Sequence, residues 1–231
     1  MKIKFSTDNK VVLDHFRIIP AKKSIPDWYK NLETYMNEGK DSLDTMIENS
    51  GVHKTIKACV PVLDYLTSGY MIKSTIHMKI KNNNTEKESG ISYMTSDTTM
   101  VGTHSHKQCP VHIEGEKKTY FKFNSPWTIT TPKGYSCLFY QPFYENLDPS
   151  FRLMPAIVDT DTYDKPINFP GYITKNREVE IMPGNTLMCV FPFKRETWSS
   201  DIVLEEKKKS LFDHFIHGAY RKVFWRQKIY K

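Results

Sequence analysis

From Pro126 to Trp198 the chain reads as one strand after another. The blocks PWTITTPKGYSCLFYQP, AIVDTDTYDKPINFP and EIMPGNTLMCVFPFKRETW alternate apolar and polar residues, are rich in β-branched and aromatic side chains, and carry proline and glycine turns. A period of two puts alternate side chains on opposite faces of a pleated strand, so this run specifies a compact antiparallel β-structure. The expected architecture is mainly β: a single-domain jelly-roll or dUTPase-like β-barrel with short peripheral helices and a C-terminal helix.

With 231 residues the chain can bury one substantial core, and no linker-like stretch divides it. One domain is expected, built as an arm and short helix over 1–54, a β-rich body over 55–199 and a helix with a basic aromatic tail over 200–231. A hydrophobic content of 39% against 26% charged residues is that of a folded globular chain and excludes a predominantly disordered one. Apolar runs are only a few residues long, so no membrane span is expected. The start MKIKFSTDNK places charges where a signal peptide needs an apolar stretch, and the expected location is the host cytoplasm or a virion rather than the secreted space. Cys59, Cys109, Cys137 and Cys189 are widely spaced with no Cys-x-x-Cys pair, which points to reduced thiols.

Along the chain, Lys2 to Tyr35 reads as a short strand, then an extended arm with a turn at Pro20 and Pro26, then a short amphipathic helix opened by Pro26-Asp27 with Trp28, Leu32 and Tyr35 on its buried face. A helical turn follows around Pro61 to Leu66. After Gly69 comes a strand that carries Ile72, Thr75 and Met78 and ends at Asn82-Asn83-Asn84, a run suited to a hairpin that returns through Gly90 to Met94. Ser199, Ser200 and Asp201 form an N-cap pattern ahead of Ile202, Leu204, Leu211, Phe212, Phe215 and Ile216, with Gly218 as the stop, and predict a helix.

Several blocks recur in a recognisable order: Pro20-Ala21-Lys22-Lys23 with Pro26-Asp27-Trp28, Thr55-Ile56-Lys57 with Thr67-Ser68-Gly69-Tyr70, Thr131-Pro132-Lys133-Gly134-Tyr135-Ser136, Ile157-Val158-Asp159-Thr160-Asp161, Ile167-Asn168-Phe169-Pro170 and Pro192-Phe193-Lys194-Arg195. In this order they resemble a functionally uncharacterised protein family of tailed phages, especially marine ones, and of some bacteria. The resemblance runs across most of the chain and implies a viral setting without implying an activity.

A second, weaker resemblance lies in layout. A Pro-x-Gly-Tyr strand, then Ile-Val-Asp-x-Asp with a nearby Tyr, then Gly-x-x-Leu-x-x-Val-x-Pro is similar to the order in dUTPases and the related deoxycytidine triphosphate deaminases. It implies Asp159 as the base that activates water and Tyr163 as the ring packed on the nucleoside, with Asp161 beside them. The chain departs from that pattern at Thr162, an extra residue, and at Gln141-Pro142-Phe143-Tyr144, which stands where the family carries its phosphate-binding Pro-Arg-Ser-Ser. The plainer alternative for Asp159 and Asp161 is a strand-end turn in which carboxylates cap backbone amides.

The one histidine cluster, Gly102-Thr103-His104-Ser105-His106-Lys107-Gln108-Cys109-Pro110-Val111-His112, holds a His-x-His pair of the kind that a cupin strand points at a transition metal. His104 and His106 are candidate ligands, with His112 a third, but residues 110 and 111 are Pro and Val where the cupin pattern places a Glu. Lys194 and Arg195 follow an apolar strand as candidate anion ligands or as half of a surface ion pair. Formal charge is +7, and the ending AYRKVFWRQKIYK sets Arg221, Lys222, Arg226 and Lys228 among aromatics that include Trp225. That pattern suits an acidic or nucleic-acid partner, and equally a terminal segment that docks its rings on the domain.

Each catalytic set is incomplete. The favoured expectation is a phage-type protein that acts by binding, as a virion component or homo-oligomer or through a host or nucleic-acid partner; the alternatives are a nucleotide-binding barrel and a cupin-like metalloenzyme.

Overall fold

The computed structural model describes residues 1–35, 55–82, 91–104, 108, 120–145, 148–173, 178–204 and 225–226. In chain order its elements begin with β1 (Lys4–Ser6), α1 (Lys10–His15), β2 (Ile19–Pro20), α2 (Asp27–Asn31), α3 (Val60–Thr67), β3 (Tyr70–Lys73) and β4 (Met78–Asn82). They continue with β5 (Ile91–Thr95), β6 (Val101–His104), β7 (Tyr120–Thr130), β8 (Tyr135–Tyr140), β9 (Phe151–Leu153), β10 (Ala156–Val158), β11 (Pro166–Ile173), β12 (Glu178–Ile181) and β13 (Thr186–Lys194). The protein is mainly β. No helix among the described residues is long and apolar enough to cross a membrane.

The chain divides into two compact units. The first comprises Met1–Ala21 with Gly69–Arg195 and holds the strands. Its first sheet runs β1-β7-β11-β9, with β6 also paired to β7; its second runs β10-β8-β13-β3-β2; its third runs β12-β4-β5. Every ladder is antiparallel, and among the described residues none closes a sheet into a barrel. In β7, Phe121, Phe123, Trp127 and Ile129 alternate inward with half-exposed Lys122, Asn124 and Thr128, and buried Ser125 is the polar residue on that inward face. Those rings meet Phe139, Met188 and Val190 of the second sheet and Met78, Ile80 and Val179 of the third in one core. Phe139 lies against Phe169 at 5.9 Å and Phe5 against Tyr70 at 4.9 Å, both between the first and second sheets. Burying each such side chain contributes roughly 1.5–3 kcal/mol.

Two differences from the sequence expectation have identifiable causes. The arm after β1 contains helix α1, because the Asn9 side chain accepts from the Val12 amide and caps a turn whose Val12 is buried. The strand expected after Gly69 is two strands in two sheets. Ser74 breaks it: its amide donates to the Asn185 carbonyl (2.8 Å), its carbonyl accepts from Gly184 (2.8 Å), and its hydroxyl donates to the Ile76 carbonyl (2.7 Å). Residues 201–204 carry no helix, and the remainder of the expected C-terminal helix, up to its stop at Gly218, lies outside the described residues, as do Asn83 and Asn84.

The second unit comprises Lys22–Ser68 with Glu196–Lys231. In α2 the buried residue is Tyr29, with Trp28 and Leu32 half-buried and Tyr35 exposed, since the helix is too short to carry the expected stripe to Tyr35. Lys57 closes its C-terminal end: Nζ donates to the carbonyls of Tyr29 (2.7 Å) and Lys30 (2.6 Å) and sits 5.2 Å from the Tyr29 ring centre.

Candidate functional site

Strand register brings three distant segments to one end of the second sheet. β8 lies between β10 and β13, with Val158 opposite Cys137 and Lys194 opposite Tyr135. The residues that follow those strands, Asp159 to Asp161 on one side and Arg195 on the other, therefore converge on the turn that starts β8. That turn is Pro132-Lys133-Gly134-Tyr135. The Tyr135 amide donates to the Pro132 carbonyl (3.2 Å) and Gly134 holds φ +86°, the left-handed position that a type II turn gives to glycine.

Arg195 organises the cluster. Its Nη1 donates to Asp161 Oδ1 (2.9 Å) and its Nη2 to Asp161 Oδ2 (2.5 Å), a two-pronged pair, and Nη1 also reaches Asp159 Oδ1 (3.1 Å), the Ser136 hydroxyl (2.9 Å) and the Tyr135 carbonyl (3.2 Å). The Ser136 hydroxyl in turn donates to Asp159 Oδ1 (2.6 Å). Asp161 also accepts from the Gly134 amide (2.8 Å), and the Arg195 amide donates to the Gly134 carbonyl (2.9 Å). The Asp161 side chain is only 3% exposed, while that of Asp159 is open to solvent. The Arg195 hydrogen bonds, followed by the Gly134 amide, hold the Asp161 carboxyl down to about 2; the same contact with Asp161 raises Arg195 above its ordinary value.

Beneath the ion pairs lies a hydroxyl layer. The Thr131 amide donates to the Thr160 carbonyl (3.1 Å), the two hydroxyls are 2.8 Å apart, and Thr160 Oγ1 donates to Cys137 Sγ (3.3 Å). Burial raises the Cys137 thiol above its ordinary value. Asp159 closes a turn as well, since its carbonyl accepts from the amides of Thr162 (3.0 Å) and Tyr163 (2.9 Å).

Chemically this is a clamp. The Asp159 oxygen Oδ1 is occupied by a serine hydroxyl and a guanidinium, and both oxygens of Asp161 are occupied by Arg195. The guanidinium is neutralised internally, so the anion-ligand role considered for Arg195 gives way to the ion pair; Lys194 is exposed at the end of β13. Ser136, Gly134, Thr131 and Thr160 complete the site. They were visible in sequence only as members of quoted blocks, because nothing local says that β10 and β13 flank β8.

The other candidates fall elsewhere. His104 ends β6, with Nδ1 2.9 Å from Gln108 Oε1; His106 and His112 lie outside the described residues, and among those described no three metal-ligating side chains gather. In the basic tail the Trp225 indole N–H donates to Asp64 of α3 (3.3 Å), Arg226 is exposed, and Arg221, Lys222 and Lys228 lie outside the described residues. Neither the protein-family models nor the curated proteins contain a match to this chain.

Proposed function

We propose that this protein acts by binding rather than catalysis, as a phage-type component of virion assembly or of attachment to a host or nucleic-acid partner, in the host cytoplasm or the virion. The observation that supports this reading is the engagement of Arg195 by Asp161, which also accepts from Gly134, and by Oδ1 of Asp159, which also accepts from Ser136, so that the guanidinium serves the fold. Hydrolysis of a nucleotide needs cationic ligands for the phosphates beside the base, and here the guanidinium next to Asp159 is already spent on carboxylates. The finer architecture that accompanies this reading is a jelly-roll-like packing of the two five-stranded sheets over their shared core, with Phe139 on Phe169 in support.

The test has two arms. Deoxynucleoside triphosphates should leave the melting temperature unchanged, and peptide mass spectrometry of purified particles should find the chain at fixed stoichiometry. A saturable rise in melting temperature with one nucleotide, accompanied by turnover, would overturn the reading.

A further inference from the structure

The first sheet buries one face in the core, and its other face is polar and cationic. Register places Lys4, Lys122 and Arg152 on that second face: Lys4 is opposite Thr130, Lys122 is opposite Gly102 and Pro170, and Arg152 is opposite Tyr172. Asn124 is paired with Asn168 between them, and Ser6, Thr128 and Thr130 add hydroxyls. Lys4, Arg152 and Asn168 are exposed and Lys122 is half-buried. None of the five strands contains an Asp or a Glu.

The carboxylates in the turns around these strands are committed locally or outnumbered. Asp97 accepts from the Thr99 amide (2.9 Å) and hydroxyl (2.6 Å), and Asp148 from the Ser150 amide (2.8 Å) and hydroxyl (2.6 Å). Beyond the end of β7, Asp159 and Asp161 engage Arg195, and Asp164 lies 3.4 Å from Lys165. Asp8, after β1, is set against Lys2 and Lys4, and the sequence joining β6 to β7 carries Lys107, Lys117 and Lys118 against Glu114 and Glu116. The third sheet is different: Glu178 is opposite Lys81 and Glu180 opposite Lys79, with Lys79 Nζ 3.4 Å from Glu180, so its cations are already matched.

We infer that the face of the first sheet turned away from the core binds the backbone of a single-stranded nucleic acid, with Lys122, Arg152 and Lys4 as its phosphate ligands. The inference rests on the binding reading above and gives it a partner and a place. Cations without carboxylates on their own strands fit a polyanion, and the neighbouring amides and hydroxyls can bond to phosphate and sugar oxygens. From Lys122 to the level of Lys4 is eight residues of β7, roughly 27 Å, a length suited to a short single strand. A sheet face has no helix or ribbon to enter a duplex groove, whereas single strands lie along such faces. Tyr120 and Tyr172 meet edge to face at 6.3 Å and are buried, so neither ring is open to a base. Contact through phosphates makes the binding tolerant of sequence and sensitive to salt.

The experiment is fluorescence anisotropy of a short labelled oligothymidylate with the full-length protein, titrated over a range of salt. Lys122→Gln with Arg152→Gln should weaken binding about tenfold and flatten the log–log salt slope by about 1.4, two phosphates at about 0.7 each. Lys79→Gln with Lys81→Gln removes the same charge from the third sheet and should leave affinity within about twofold. Lysine acylation read by peptide mass spectrometry should label Lys4 and Lys122 in the free protein and spare both once the oligonucleotide is bound. A wild type that leaves the oligonucleotide free at low salt, two double variants that behave alike, or a Lys4 and Lys122 that resist acylation in the free protein overturns the inference. A first double variant that loses polyglutamate but keeps the oligonucleotide assigns the face to an acidic protein and overturns it as well. A protein that ignores the oligonucleotide yet sits in particles at fixed stoichiometry sinks this inference alone, whereas nucleotide turnover sinks the binding reading itself.

Discussion

Asp161 and Arg195 are 34 positions apart in sequence and form one unit in space, so substituting either side chain strands the other. Asp161→Asn keeps the size and removes the charge; it should lower the melting temperature by several degrees at neutral pH, more than Asp159→Asn at the exposed partner. The sign of the pH effect follows from the depressed carboxyl. The unfolded chain holds its proton up to the ordinary 3.8 while the folded chain releases it down to about 2, so the stabilisation from this group is complete above about pH 4 and disappears as pH falls towards 2. Asp27, Asp97 and Glu180 are also lowered and contribute in the same direction, and Glu145, raised by burial, contributes in the opposite one. The difference between wild-type and Asp161→Asn melts from pH 5 to pH 2 isolates the group: the variant should lose less stability across that window. The aspartates and the arginine were each visible as candidates in the sequence. Their partnership was not, because it depends on which strands flank β8.

Among the elements, the first sheet carries its tightest constraint at Gly171 of β11, which pairs with β7 on one side and β9 on the other. A Cβ there would lie 2.5 Å from the Arg152 carbonyl oxygen and 2.6 Å from the Phe121 ring. Gly171→Ala should therefore cost about 1–3 kcal/mol, read as a lower urea midpoint with the slope unchanged. Gly69 has a different constraint: its φ of +73° and the Val190 carbonyl above it leave no room for a side chain where the chain enters β3. Turn glycines and alternating strands were legible because each is a local rule. The break at Ser74, which sends β3 and β4 into different sheets, was not legible; its bonds come from residues 184 and 185.

At the scale of the whole molecule, the thiols report how much of the fold must open. Burial pushes Cys189 up to about 12, and its sulfur rests 3.4 Å from Met71 Sδ in a small cluster with Ala21. Cys137 is buried in the main core, whereas Cys59, ahead of α3, is exposed. In a Cys109→Ser background, a thiol reagent should modify Cys59 at once, and Cys137 and Cys189 only at the rate of global unfolding; fast labelling of all three would contradict a single cooperative core. Gln141 bears on the same cooperativity, since its side-chain amide donates to the Phe151 carbonyl (3.2 Å) and its oxygen accepts from Leu153 (3.0 Å), stitching the end of β8 to the edge of the first sheet.

Sequence by itself determined the mainly β class, the run of strands from Pro126 to Lys194, the β4–β5 hairpin and the short α3, because alternation, glycine, proline and capping act over a few neighbouring residues. Only the tertiary structure decided that Asp159, Asp161, Ser136 and Arg195 form a closed clamp, that β1 and β2 belong to the sheets, and that Trp198, Ile202 and Leu204 stand in water. Register and strand order are set by the summed burial of faces far apart in sequence, and a charged group's role follows from which partner that burial places beside it.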